Sequence, residues 1–120
     1  MAIKKILLAE NELLVGKVLK MVLERKQFEV IHVVDEENAI NVALEFKPDI
    51  IILDVYLKNK SSGINARTQI RKNGNVNPII FTTDNSYEQT KKEILNIENS
   101  PLFIKPVDVQ QRLKYIETTF

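Results

Sequence analysis

Ile50-Ile51-Ile52-Leu53-Asp54 sets four large apolar residues in unbroken succession before a single carboxylate. A run this short, rich in β-branched side chains and without polar alternation, reads as a strand covered on both faces. Four similar runs surround it, at Ile6–Ala9, Val30–Val34, Ile79–Thr82 and Leu102–Ile104. Helical spacing fills the intervals. Leu14, Val18 and Val22 share a face, with Leu19 and Leu23 beside them. Ala39, Ala43 and Phe46 recur in the next interval, and Val109, Leu113 and Ile116 in the last. A weaker helix near residues 65–73 shows only the Ala66 and Ile70 pair, and a fourth is expected after Ser86. Asn11, Asp35 and Ser86 serve as start signals, and Lys47-Pro48 and Asn73-Gly74 as stops.

Strands alternating with helices in this way predict βαβ units. The expected fold class is α/β, a doubly wound five-stranded parallel sheet of flavodoxin-like (βα)5 topology, strand order 2-1-3-4-5. One domain spanning residues 1–120 accounts for the whole chain, with no repeat, linker or second domain.

Composition narrows the function. Seventeen basic residues against sixteen acidic leave a formal charge of +1, which gives no electrostatic reason to expect nucleic-acid binding by this domain. The chain has no cysteine, which excludes disulfides and thiolate metal sites and points to a reducing, cytoplasmic setting. No apolar run approaches the length of a membrane span, and no membrane association is expected.

In an open parallel sheet, chemistry gathers at the carboxyl ends of the strands. Those ends carry Glu10-Asn11-Glu12, Asp54, Thr82-Thr83-Asp84 and Lys105-Pro106. Taken singly, each has an ordinary explanation. Asn11 and Glu12 read as a helix cap with first-turn charge, Asp54 as a loop or cap residue, and Lys105 as a solvated charge. His32, within a strand, reads as structural, and Tyr56, Tyr87 and Tyr115 as partly packed surface aromatics. Together they place carboxylates, an amide, hydroxyls and an ammonium on one edge. Such a set suits phosphoryl transfer to a carboxylate nucleophile assisted by a divalent cation.

Ile6-Leu7-Leu8-Ala9-Glu10-Asn11-Glu12, Ile51-Ile52-Leu53-Asp54, Pro78-Ile79-Ile80-Phe81-Thr82-Thr83 and Phe103-Ile104-Lys105-Pro106 resemble, in order and spacing, the response-regulator receiver family of two-component signalling. Lys105 follows Thr83 by 22 positions, as the resemblance requires. The resemblance implies that Asp54 is the phosphoacceptor, charged from a histidine-kinase phosphohistidine. It implies that Glu10, Asn11, Asp54 and the backbone carbonyl of Tyr56 hold Mg2+. It also implies that Thr83 is the switch hydroxyl, that Lys105 pairs with Asp54 or its phosphoryl group, and that Pro106 shapes the following loop. The signal would leave through the face of the fourth helix, fifth strand and fifth helix. A sensor histidine kinase or phosphotransfer protein is the implied upstream partner, and a downstream protein or output domain the recipient. Such a domain assists its own phosphotransfer and is not a turnover enzyme.

The chain departs from the family pattern at several positions. Asn11 stands where a second acid usually binds the metal, so Mg2+ is expected to bind weakly, with Glu12 a poorly placed substitute. Asp84 replaces a small residue beside the phosphoryl group, and a carboxylate there would repel phosphate. Leu102 replaces a frequent coupling aromatic. Lys58 replaces a usual proline in the loop from Asp54 to Ile64, which is one residue longer than usual. Tyr56 and Asn85 occupy positions that tune phosphoryl lifetime in the family. The alternative is a degenerate receiver, a phosphorylation-independent interaction module. An aspartyl phosphatase would need an acid at Tyr56, and a nucleotide or flavin module would not place Glu10 and Glu12 at its phosphate loop.

Overall fold

A computed structural model of the chain describes residues 4–59, 61–83 and 102–104, and for Thr83 and residues 102–104 the backbone only. Its elements run β1 (Lys5–Ala9), α1 (Leu13–Arg25), β2 (Glu29–Val33), α2 (Glu36–Phe46), β3 (Ile50–Asp54), β4 (Tyr56–Leu57), β5 (Ser61–Ser62), α3 (Gly63–Lys72), β6 (Ile79–Thr83) and β7 (Leu102–Ile104). The five long strands form one parallel sheet in the order β2-β1-β3-β6-β7, the doubly wound arrangement expected. The helices expected after Ser86 and around Val109–Ile116 lie outside the described residues.

Two apolar layers flank the sheet. On one face Leu7, Ala9, Ile51, Leu53, Ile79 and Phe81 meet Ala39 and Ala43 of α2 and Ala66 and Ile70 of α3. On the other, Ile6, Leu8, Ile50, Ile52 and Ile80 meet Leu19 and Leu23 of α1. Every residue of β3 is buried, as an unbroken apolar strand at the centre of a covered sheet must be.

The helix ends follow local chemistry, with one correction. Asp35 caps α2, its side chain accepting from the Asn38 backbone N–H at 2.8 Å. Lys47 ends α2 in the left-handed region (φ 53°), and Gly74 follows α3 at φ 98°. Ser62 caps α3 by accepting from the Ile64 and Asn65 amides. Asn11, however, does not cap α1; Glu12 holds that place without a side-chain cap.

The buried face of α1 is also not the one that spacing proposed. Gly16, Leu19 and Leu23 face the sheet, while Leu14 is 79% and Val18 53% exposed. The reason lies in a neighbour: a Cβ on Gly16 would fall 2.0 Å from the ring of His32 on β2. The helix therefore turns its one residue without a side chain toward that ring, and Leu19 and Leu23 come with it.

Candidate functional site at the carboxyl edge of the sheet

Asp54 closes β3 and is 2% exposed, and Glu10, one residue past β1, is 1% exposed. Burying a carboxylate is costly unless donors meet it. The Asn11 backbone N–H donates to Asp54 Oδ2 at 3.0 Å, and the Thr82 hydroxyl donates to Oδ1 at 3.1 Å. The Glu12 amide donates to Glu10 Oε1 at 3.4 Å, so the β1–α1 turn folds its own backbone around both acids. His32 Nε2 lies 3.0 Å from the Glu10 carbonyl oxygen, a bond that requires a proton on Nε2 and pins the turn to β2.

Asn11 is the informative member of the set. Its side-chain Oδ1 is buried and has no hydrogen-bond partner among the described residues. A buried acceptor left open on the residue that follows Glu10 and whose N–H meets Asp54 is what an oxygen-seeking cation would complete, and hard divalent cations take oxygen ligands. The residues present thus fit Mg2+. Among the described residues no three His, Cys, Asp or Glu side chains converge, so the pocket carries less negative charge than an all-acid one. Glu12 is exposed at the N-terminus of α1.

The loop after Asp54 is built rather than slack. Tyr56–Leu57 and Ser61–Ser62 pair as a small antiparallel hairpin, with Asn59 in the left-handed region (φ 64°) at its tip. The Lys58 N–H donates to the Val34 carbonyl at 3.0 Å, a bond that a proline could not make. Glu36 Oε1 accepts from the Ser62 N–H at 3.0 Å, and the Ser61 hydroxyl accepts from the Glu36 N–H at 3.1 Å. The hairpin that carries the Tyr56 carbonyl is thereby moored to the start of α2. Gly63 then lets α3 approach: a Cβ there would stand 2.0 Å from the Asp54 carbonyl oxygen.

Of the residues singled out from sequence, Glu10, Asn11 and Asp54 converge, and Tyr56 lies two residues beyond Asp54 with its side chain 44% exposed. Thr83 is the last residue of β6 and pairs in register with Ile104, the residue before Lys105. The Thr83 side chain, Asp84, Asn85, Lys105 and Pro106 lie outside the described residues. The residue that sequence reading placed at this edge without a role is Thr82, which the structure sets against Asp54. Strand register could have found it, because Asp54 and Thr82 are direct partners across β3 and β6 and so point to the same side.

Fold and site together define a doubly wound α/β domain with a buried, hydrogen-bonded aspartate at the carboxyl end of its central strand. Residues 6–117 match the family model of the response regulator receiver domain, and the chain belongs to that family. It is a receiver domain of the two-component response-regulator kind, a signalling domain. It is 34% identical over 116 residues to the alkaline phosphatase synthesis transcriptional regulatory protein PhoP of Bacillus subtilis, covering 94% of this chain and 48% of that protein. The chain thus spans about half the length of curated relatives such as this one. Its fold matches the signal receiver domain of a LuxO repressor protein from Vibrio parahaemolyticus at a TM-score of 0.87 with 20% identity, covering 98% of this chain and 89% of that one. It also matches the receiver domain of the sensor histidine kinase PA1611 from Pseudomonas aeruginosa, solved with a magnesium ion in the active-site cleft, at a TM-score of 0.85 with 24% identity and coverages of 98% and 97%. No helix among the described residues is long and apolar enough to cross a membrane.

Proposed function

We propose that the chain, as one domain over residues 1–120, is a phosphorylation switch whose acceptor is Asp54. The observation that carries this reading is the buried Asp54 carboxylate, held by the Asn11 amide and the Thr82 hydroxyl beside buried Glu10. A carboxylate fixed in this way loses little freedom on reaction and can serve as an in-line nucleophile. One of its oxygens attacks the phosphorus of a phosphohistidine on a sensor histidine kinase or phosphotransfer protein. The P–N bond breaks, and the histidine leaves with the electron pair.

Glu10, the Asn11 Oδ1, Asp54 and the Tyr56 carbonyl would hold Mg2+. That ion supplies neutralisation of the repulsion between carboxylate and phosphoryl oxygens. The open acceptor on Asn11 supports this ligand set, and its lack of charge argues for weak binding. Thr83 and Lys105 would receive the phosphoryl oxygens, and the domain's surface would shift at the face containing β7 and the helices expected on either side of it. A downstream protein or an output domain reads that shift in a cytoplasmic setting. The domain assists its own phosphotransfer without turning over a substrate.

The test is incubation with a small-molecule phosphodonor with and without Mg2+, read by intact mass. One phosphoryl adduct that requires Mg2+ and is absent from Asp54→Ala is the expected result. A folded protein that takes no adduct at any Mg2+ concentration would instead be a phosphorylation-independent interaction module.

A further inference from the structure

We propose that Thr82 sets the lifetime of the phosphoryl group on Asp54, an inference that rests on the phosphoacceptor reading above. Thr82 is fully buried, and its hydroxyl donates to Asp54 Oδ1 at 3.1 Å. It is Asp54's direct partner in the β3–β6 register, so two strands at the rigid centre of the sheet hold donor and acceptor together. The adjoining positions of β6, Ile80 and Phe81, are apolar and also fully buried. A hydroxyl in such surroundings carries a desolvation cost that its bond to the reactive carboxylate offsets.

The consequence is chemical. When Asp54 carries a phosphoryl group, its carboxyl has lost its charge and is a weaker acceptor. In hydrolysis, water attacks phosphorus, the P–O bond to Asp54 breaks, and the electron pair returns to the carboxylate. Inorganic phosphate departs and takes up the oxygen of the water, whose surplus proton goes to solvent. Negative charge therefore grows on the Asp54 oxygens along the way, where a preorganised donor stabilises it more than it stabilises the acyl phosphate. The Thr82 hydroxyl makes Asp54 a better leaving group and shortens the life of the signal. Its role is separate from that expected of Thr83, which concerns the phosphoryl oxygens.

The experiment loads wild type, Thr82→Val and Thr82→Ser from a small-molecule phosphodonor with Mg2+, removes the donor, and follows decay of the adduct by intact mass. Thr82→Val keeps the shape and loses the donor; its adduct should live about three- to tenfold longer, the span a charge-assisted hydrogen bond expressed in part at the transition state would give. Thr82→Ser keeps the donor and should decay near the wild-type rate, an outcome that a mere packing role would not produce. If Thr82→Val does not fold, Thr82→Cys, with its weak thiol donor, takes its place and should also be longer-lived. A folded Val or Cys variant that decays as fast as wild type overturns the proposal and leaves the phosphoacceptor reading intact. A wild type that takes no adduct overturns both.

Discussion

Asn11 concentrates the chemical individuality of this domain. Its backbone N–H serves Asp54 whatever its side chain is, so substitution changes the pocket's charge and spares the hydrogen bond. In Asn11→Asp, three carboxylates would crowd the β1–α1 and β3 ends. Without a cation that variant should be less stable than wild type, and Mg2+ should bind it on the order of tenfold more tightly, since ligand charge tunes divalent affinity. Calorimetric titration of Mg2+ against both proteins checks the affinity. Melting temperatures with and without Mg2+ check the linkage, because a ligand that binds the native state stabilises it by mass action. Equal affinities would remove Asn11 from the metal site. At this scale Asp54, Glu10 and Asn11 were legible from sequence because each lies within two residues of the end of an apolar run. The role of Thr82 was not, because it comes from a partner 28 residues away.

At the scale of elements, α1 and β2 meet through one close contact. Gly16 has no room for a methyl group while the His32 ring holds the Glu10 carbonyl. Gly16→Ala should gain helix propensity yet lose more to the clash, a net destabilisation of about 1–3 kcal/mol. In a His32→Ala background the same change should cost much less, and denaturant unfolding of the four proteins would give the coupling. Additive effects would mean that the ring swings clear at no cost. The α1 pattern shows why helical periodicity misleads here. Leu13, Leu14, Val15, Val18 and Met21 are all exposed, so apolar residues surround the helix and spacing alone cannot choose a buried side. In α3 the opposite holds: Ala66 and Ile70 are both buried and Ile64 packs beside them, so its few apolar residues mark one side.

For the whole molecule, the sheet separates two apolar layers that touch different helices. Ile70→Val in one layer should cost about 0.5–1.5 kcal/mol and Leu23→Ala in the other about 2–5 kcal/mol. Because no packed side chain among the described residues is shared between them, the double variant should show the sum to within about 0.5 kcal/mol by denaturant unfolding. A clear shortfall or excess would mean that the sheet transmits strain between its faces. Sequence by itself determined the strands, their parallel order and the edge at which polar residues collect, because burial on both faces forces apolar runs and leaves most polar residues at their ends. Tertiary structure alone decided which face of α1 is buried, how Lys58 and Glu36 moor the hairpin after Asp54, and that Thr82 reaches the Asp54 carboxylate. Each of these depends on strand register or on close approach between residues far apart in the chain, and periodicity along one segment carries no information about either.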